Sequence, residues 1–170
     1  MNQPDDPTHD RVHRPVFRVI GGTPLHGTIR PQGNKNEALP ALAACLLTRG
    51  TVTLENLPDI EDVVVVEEIL RAMGARLTPA TLGSRHTLHI NASGVDDGFI
   101  PAELAQRVRG SVTLAGPLLA RTGHVFLPKP GGDRIGRRRL DTHMIAFQQM
   151  GASIDVTEAG FEIRARRLIG

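Results

Sequence analysis

The chain has one cysteine, no tryptophan, no tyrosine and only five phenylalanines in 170 residues. A single cysteine excludes an internal disulfide and fits a reducing compartment. Cys45 lies in the apolar run Ala43-Ala44-Cys45-Leu46-Leu47 and reads as core, not as a nucleophile. An aromatic content of 3% removes the ring faces on which single-stranded nucleic acid is stacked. A net charge of +2 implies no broad basic surface. No apolar run approaches the roughly 20 residues that span a bilayer, and the N-terminus lacks a basic-then-apolar leader. A cytoplasmic protein without membrane or nucleic-acid partners is expected. A small nucleic-acid-binding module using Arg134, Arg137, Arg138 and Arg139 is the least favoured alternative.

Metal and cofactor signals are also scarce. His86 and His89 fall three apart in a predicted strand, so they point to opposite faces. His143 has no His or Cys at ligand spacing, and no metal site is expected. The glycines match neither a phosphate-binding loop nor a dinucleotide fingerprint, so no cofactor is expected. Asp59, Glu61, Asp62, Glu67 and Glu68 read as the acidic first turn and solvated face of a helix.

What is present is a pattern that occurs twice. Residues 1–15 are polar and proline-rich and read as a disordered tail. Residues 17–20 and 26–30 read as strands. Leu39, Leu42, Ala43, Leu46 and Leu47 mark a helix closed by Gly50. Residues 51–54 alternate as a strand. Val63, Val66, Leu70 and Met73 mark a second helix stopped by Gly74, and short strands follow near 76–77 and 87–90. The order then recurs. Leu104, Val108, Val112, Ala115 and Leu119 predict one long helix, bent near Pro117 and ending at Gly123. A strand at 124–127, a helix over 141–150 and a hairpin of 153–156 with 161–164 complete the second round. Gly50-x-Val-x-Leu pairs with Gly123-x-Val-x-Leu, and Met73-Gly-Ala with Met150-Gly-Ala. The period is about 75 residues, an internal duplication with one unit over about 24–92 and another over about 93–166. The fold class is mixed α/β within a single domain over 16–170. The last residues read as the turn into a further unit, as if the chain were cut.

Two stretches suit anions. In the loop 128–143, Gly131 and Gly132 allow close backbone approach, one acid, Asp133, stands beside them, and arginine forks suit phosphate and carboxylate groups. Lys35 sits at a helix N-terminus against the macrodipole, an arrangement that becomes favourable once an anion is bound there. A solvated loop and an asparagine cap explain the same residues without a ligand.

Gly33-Asn-Lys-Asn-Glu-Ala-Leu-Pro40, Arg109-Gly-Ser111 and Pro130-Gly-Gly-Asp-Arg-Ile-Gly-Arg-Arg-Arg-Leu-Asp-Thr-His143 together resemble the enolpyruvyl transferase family, in its UDP-N-acetylglucosamine 1-carboxyvinyltransferase branch. The resemblance is collinear from about residue 17 to 170. The 3-phosphoshikimate 1-carboxyvinyltransferase branch ranks second, since it usually has a serine-rich segment at Lys35-Asn36. The resemblance implies an inside-out α/β barrel of repeated βαβαββ units, about two of them present here. It implies phosphoenolpyruvate and UDP-N-acetylglucosamine as substrates, in the first committed step of peptidoglycan synthesis, and hence a part in cell-wall biogenesis, cell shape and division. It makes Asp133, Lys35 and Arg138 the catalytic candidates. Lys35, Asn36, Arg109, Arg138, Arg139, Leu140, Asp141 and Thr142 become the substrate-binding candidates. Asp133 stands where the family commonly has a loop cysteine that donates a proton and is alkylated by fosfomycin, which implies resistance to that drug. After Arg138 the segment reads Arg139-Leu-Asp-Thr142, where the family more often has a proline after the arginine. The family's chain is more than twice as long, and its other half carries the carboxylate proposed to deprotonate the sugar hydroxyl. This segment alone is expected to be inactive and to lack its C-terminal partner half.

Overall fold

The structure, a computed structural model, describes residues 16–22, 24–83, 86–131 and 139–170. The expected tail at 1–15 lies outside them. The chain divides into two units at Arg30 and Pro31. In the first, Val16, Phe17, Val19, Ile20, Leu25 and Ile29 are all exposed, and no strand forms over 17–20 or 26–30. The expected strands are not there because alternation supplies only a face. A ladder also needs a partner edge to take its N–H and C=O groups.

From residue 31 onward the repeat takes shape. Helix α1 (Lys35–Ala44) tightens into a 3-10 turn (Cys45–Leu47). Strand β1 (Thr51–Leu54), helix α2 (Glu61–Ala72) and strands β2 (Arg76–Pro79) and β3 (Leu88–Asn91) follow. The second round runs through α3 (Ala102–Ala105), a 3-10 helix (Arg109–Leu114), α4 (Ala115–Thr122), β4 (His124–Pro128), α5 (Asp141–Gln149), β5 (Ser153–Val156) and β6 (Gly160–Arg164). Each round closes on a three-stranded antiparallel sheet in which the last strand is central: β1-β3-β2 and β4-β6-β5. The central Ile90 pairs with Val52 on one side and Leu77 on the other, as Ile163 does with Val125 and Ile154. Phe99 adds a single parallel bridge to Phe126, which is as much of an opening strand as the second round shows.

Three readings need correction. The long helix over 104–119 is three pieces. It breaks at residues 106–108 and not at Pro117, which falls in the first turn of α4, where proline is tolerated. The first helix does not end on Gly50. Thr48 turns extended and its hydroxyl takes the Gly50 N–H at 3.0 Å. Glu67 is not on a solvated face. It is 6% exposed and pairs with Arg71 at 3.1 Å, which offsets the cost of burying the carboxylate.

One core serves both rounds. Leu42, Leu46, Ile69, Leu70, Ile90, Leu114, Leu118, Leu127 and Ile163 are among its fully buried members. Arg121, in the last turn of α4, ties the rounds together. Its guanidinium donates to the carbonyls of Leu46 (2.7 Å), Thr48 (3.1 Å), Ala92 (2.7 Å) and Val95 (2.8 Å). Helix α5 differs from the rest, with no buried residue along its length.

Candidate functional site

The first group of candidates is built by the cap of α1. The Asn34 side chain accepts the Asn36 N–H at 2.7 Å, satisfying one of the helix's orphan donors. Gly33 is set against the 56–58 turn so closely that a Cβ would lie 1.9 Å from the Asn56 carbonyl oxygen. Only glycine permits that approach, which sets where Lys35 starts. The Lys35 ammonium donates to Asp62 Oδ2 at 2.7 Å, with both side chains partly exposed. Asp62 in the first turn of α2 therefore supplies the counter-charge that a cation at a helix N-terminus needs. Asn36 is exposed, and its backbone N–H is taken by the cap.

The second group meets at a pocket of about 340 Å³ lined by Arg109, Lys129, Pro130, Leu140, Asp141, Met144 and Phe161. Three predicted residues from two separate stretches, Arg109 from one and Leu140 and Asp141 from the other, share it. Arg109 opens the 3-10 helix, which packs against α1. At that contact Leu39 fills the space over Gly110, where a Cβ would meet Leu39 Cδ1 at 2.5 Å. Leu39 lies one turn along α1 from Lys35, so the same helix end supports both groups. Leu140 caps α5, Asp141 and Thr142 form its first turn, and Arg139 is ion-paired with Asp141. Thr142 is exposed and not on the pocket wall. Asp133 and Arg138 lie outside the described residues.

Two residues beside these candidates carried weaker signals in the sequence. Asp62 was legible only as one of several acids at a helix start. Lys129 was legible as the cation of Pro128-Lys-Pro130, without a role. The loop that follows Lys129 leaves from a fixed point. Gly131 donates to the Ala105 carbonyl at 3.2 Å, and a Cβ there would fall 1.6 Å from the Gln106 carbonyl oxygen.

Other chemistries find less. Cys45 is 3% exposed, its thiol donates to the Ala41 carbonyl at 3.3 Å, and burial pushes its pKa above the usual 9.0, opposite to what a nucleophilic thiolate needs. His86 binds the Leu57 carbonyl at 2.9 Å and His89 the Thr53 hydroxyl at 2.8 Å. Among the described residues no three His, Cys, Asp or Glu side chains are grouped to hold a metal, and no helix is long and apolar enough to cross a membrane.

A family model described as EPSP synthase (3-phosphoshikimate 1-carboxyvinyltransferase) matches residues 19–168. The chain belongs to this family. Among curated relatives it is 51% identical over 154 residues to a UDP-N-acetylglucosamine 1-carboxyvinyltransferase of Bradyrhizobium diazoefficiens. It is 43% identical to the enzyme of that name from Treponema denticola. Each match covers 91% of this chain and 35% of the relative, so the chain spans about a third of the length of the relatives it matches. Among solved structures, the enolpyruvyl transferase NikO from Streptomyces tendae superposes with a TM-score of 0.69 at 31% identity, over 87% of this chain and 32% of that one. An EPSP synthase from Acinetobacter baumannii shares the fold, with a TM-score of 0.52 at 22% identity. The mixed α/β fold of an EPSP synthase-family protein, present in part, agrees with the resemblance carried by the sequence motifs.

Proposed function

We propose that this chain is the phosphoenolpyruvate- and nucleotide-contacting segment of an enzyme that transfers the enolpyruvyl group of phosphoenolpyruvate to the 3′-hydroxyl of UDP-N-acetylglucosamine. The hydroxyl oxygen bonds to C2 of phosphoenolpyruvate while C3 gains a proton. C3 then loses a proton, the C2–O bond to phosphate breaks, and inorganic phosphate leaves. Lys35 and Asn36 meet phosphoenolpyruvate, and Arg138 lies near its phosphate. Arg109, with Arg138 to Thr142, holds the nucleotide sugar. Preplaced cations are the suitable means of stabilising charge on a phosphate and a carboxylate that changes little in position during reaction.

Asp133 serves as proton donor to C3. A free aspartic acid titrates near 3.9, so the role requires that burial or substrate charge keep it protonated. With a carboxyl in place of a thiol the enzyme resists fosfomycin. The base that takes the hydroxyl proton lies outside this segment, and the segment alone does not turn over. The reaction places the protein in the cytoplasm, in peptidoglycan synthesis.

The observation that carries this reading is the meeting of Arg109, Leu140 and Asp141 at one pocket, in a chain 51% identical to a UDP-N-acetylglucosamine 1-carboxyvinyltransferase. The test is phosphate release from phosphoenolpyruvate by this chain and by the polypeptide extended through its natural downstream sequence. Release by the extended form alone, and only with the sugar nucleotide, is expected. Use of shikimate 3-phosphate instead would move the assignment to the other branch. Turnover by the 170 residues alone would refute the inactivity of the segment.

A further inference from the structure

We propose that Lys129 is an additional substrate-binding residue, whose ammonium grips the diphosphate of the nucleotide at the pocket it shares with Arg109. Its backbone is unusually constrained for a lysine in a loop. Pro128 ends β4, paired with Gly160, and the Lys129 N–H donates to the Ala159 carbonyl at 3.1 Å. Pro130 follows, which confines Lys129 to extended conformations, and two residues on Gly131 is fastened to Ala105. The segment thus bridges the β5–β6 turn and the end of α3, and it carries Lys129 to the pocket wall.

Across that pocket the chemistry is divided. Arg109 and Lys129 supply two cations, whereas Leu140, Met144 and Phe161 supply an apolar surface. A ligand with a flat ring, whose face packs on apolar side chains, and an anionic group bearing several oxygens satisfies both. A nucleoside diphosphate is of that kind. Lysine suits the anionic part as a compact point charge with three donors, beside the planar fork of the arginine. Asp141, already paired with Arg139, is left as an acceptor for donor groups on the base.

This inference rests on the proposed sugar-nucleotide reading, and the experiment separates the two. Binding of UDP and of uridine is measured by calorimetry on the polypeptide extended through its natural downstream sequence, as wild type, Lys129→Gln and Lys129→Arg. Loss of one charge-assisted contact is expected to weaken UDP binding by about tenfold in Lys129→Gln. Uridine, which lacks the phosphates, is expected to bind both proteins equally. Lys129→Arg is expected to recover most of the loss. UDP binding that Lys129→Gln leaves unchanged, or an equal loss for uridine, overturns the role of Lys129 and leaves the sugar-nucleotide reading standing. A wild type that binds neither ligand overturns both.

Discussion

Arg121 bonds to carbonyls of the first round from the last turn of α4, and replacing it by methionine tests how far the fold depends on it. Methionine keeps much of the aliphatic stem and removes the guanidinium. Four carbonyls, from the end of the first helical segment and from the link after β3, then lose their donor. A hydrogen bond from a charged donor contributes about 1.5–3 kcal/mol. The four share one group and are partly open to water, so they do not add. The equivalent of about two bonds, about 4 kcal/mol, is the expected loss, a large part of the 5–15 kcal/mol typical of a domain. Because the chain has no tryptophan or tyrosine, unfolding in urea is followed by far-ultraviolet circular dichroism. With a slope of about 2 kcal/mol/M the midpoint falls by about 2 M, and the slope itself is unchanged. Arg121→Lys keeps the charge but cannot span four acceptors, and is expected to lose about half as much. If Arg121→Met falls within about 0.5 kcal/mol of wild type, the four bonds do not hold the rounds together. If Arg121→Lys matches wild type, the effect is only that of a cation at a helix C-terminus, worth about 0.3–1 kcal/mol.

Three further outcomes are expected. Asp62→Asn frees Lys35 from a partly exposed pair, so stability changes by less than about 1 kcal/mol, while the KM for phosphoenolpyruvate of the extended polypeptide rises about fivefold as the lysine loses its tether. An unchanged KM removes Asp62 from the site. Cys45 is expected to react with a thiol reagent only as fast as the fold opens. Since burial raises its pKa above 9.0, the unfolded thiol ionises first as pH rises. Its contribution is therefore intact below about pH 9 and erodes above it, a trend that Cys45→Ala removes. Fosfomycin is expected to leave the wild-type extended polypeptide unmodified and active, whereas Asp133→Cys forms a covalent adduct detectable by mass spectrometry. An adduct on Asp133 itself would refute the reasoning from the carboxyl.

The elements that could be read from the chain are those whose own residues decide them. Helix α2 is marked by acids at its start, by Val63, Val66 and Leu70 on one side, and by a glycine after its end. Those are local signals, and the helix forms where they say. The hairpin of β5 and β6 is likewise local. The strands expected at 17–20 and 26–30 need an edge that no local pattern specifies, and they do not form. The long helix predicted over 104–119 failed for a different reason. A period of 3.6 survives a break when the pieces on either side bury the same core, so Leu104, Val108 and Leu119 keep their spacing across a 3-10 segment that periodicity does not detect.

The site divides along the same line. Residues such as Lys35, Arg109 and Asp141 could be singled out because each stands in a short stretch with a recognisable composition. Their mutual placement could not, since it depends on pairs far apart in sequence: Lys35 with Asp62, Leu39 with Gly110, Lys129 with the turn before β6. Two close backbone contacts fix where the segments carrying the candidate cations begin. Gly33 and Gly131 are conspicuous in the sequence as flexible residues, yet in the fold each is a fixed point, pressed against the carbonyls of Asn56 and Gln106. A methyl group at either position would displace the segment that carries a candidate cation, Lys35 in one case and Lys129 in the other. Glycine is needed at these two positions for contact, and the freedom it gives the unfolded chain is a cost of that contact.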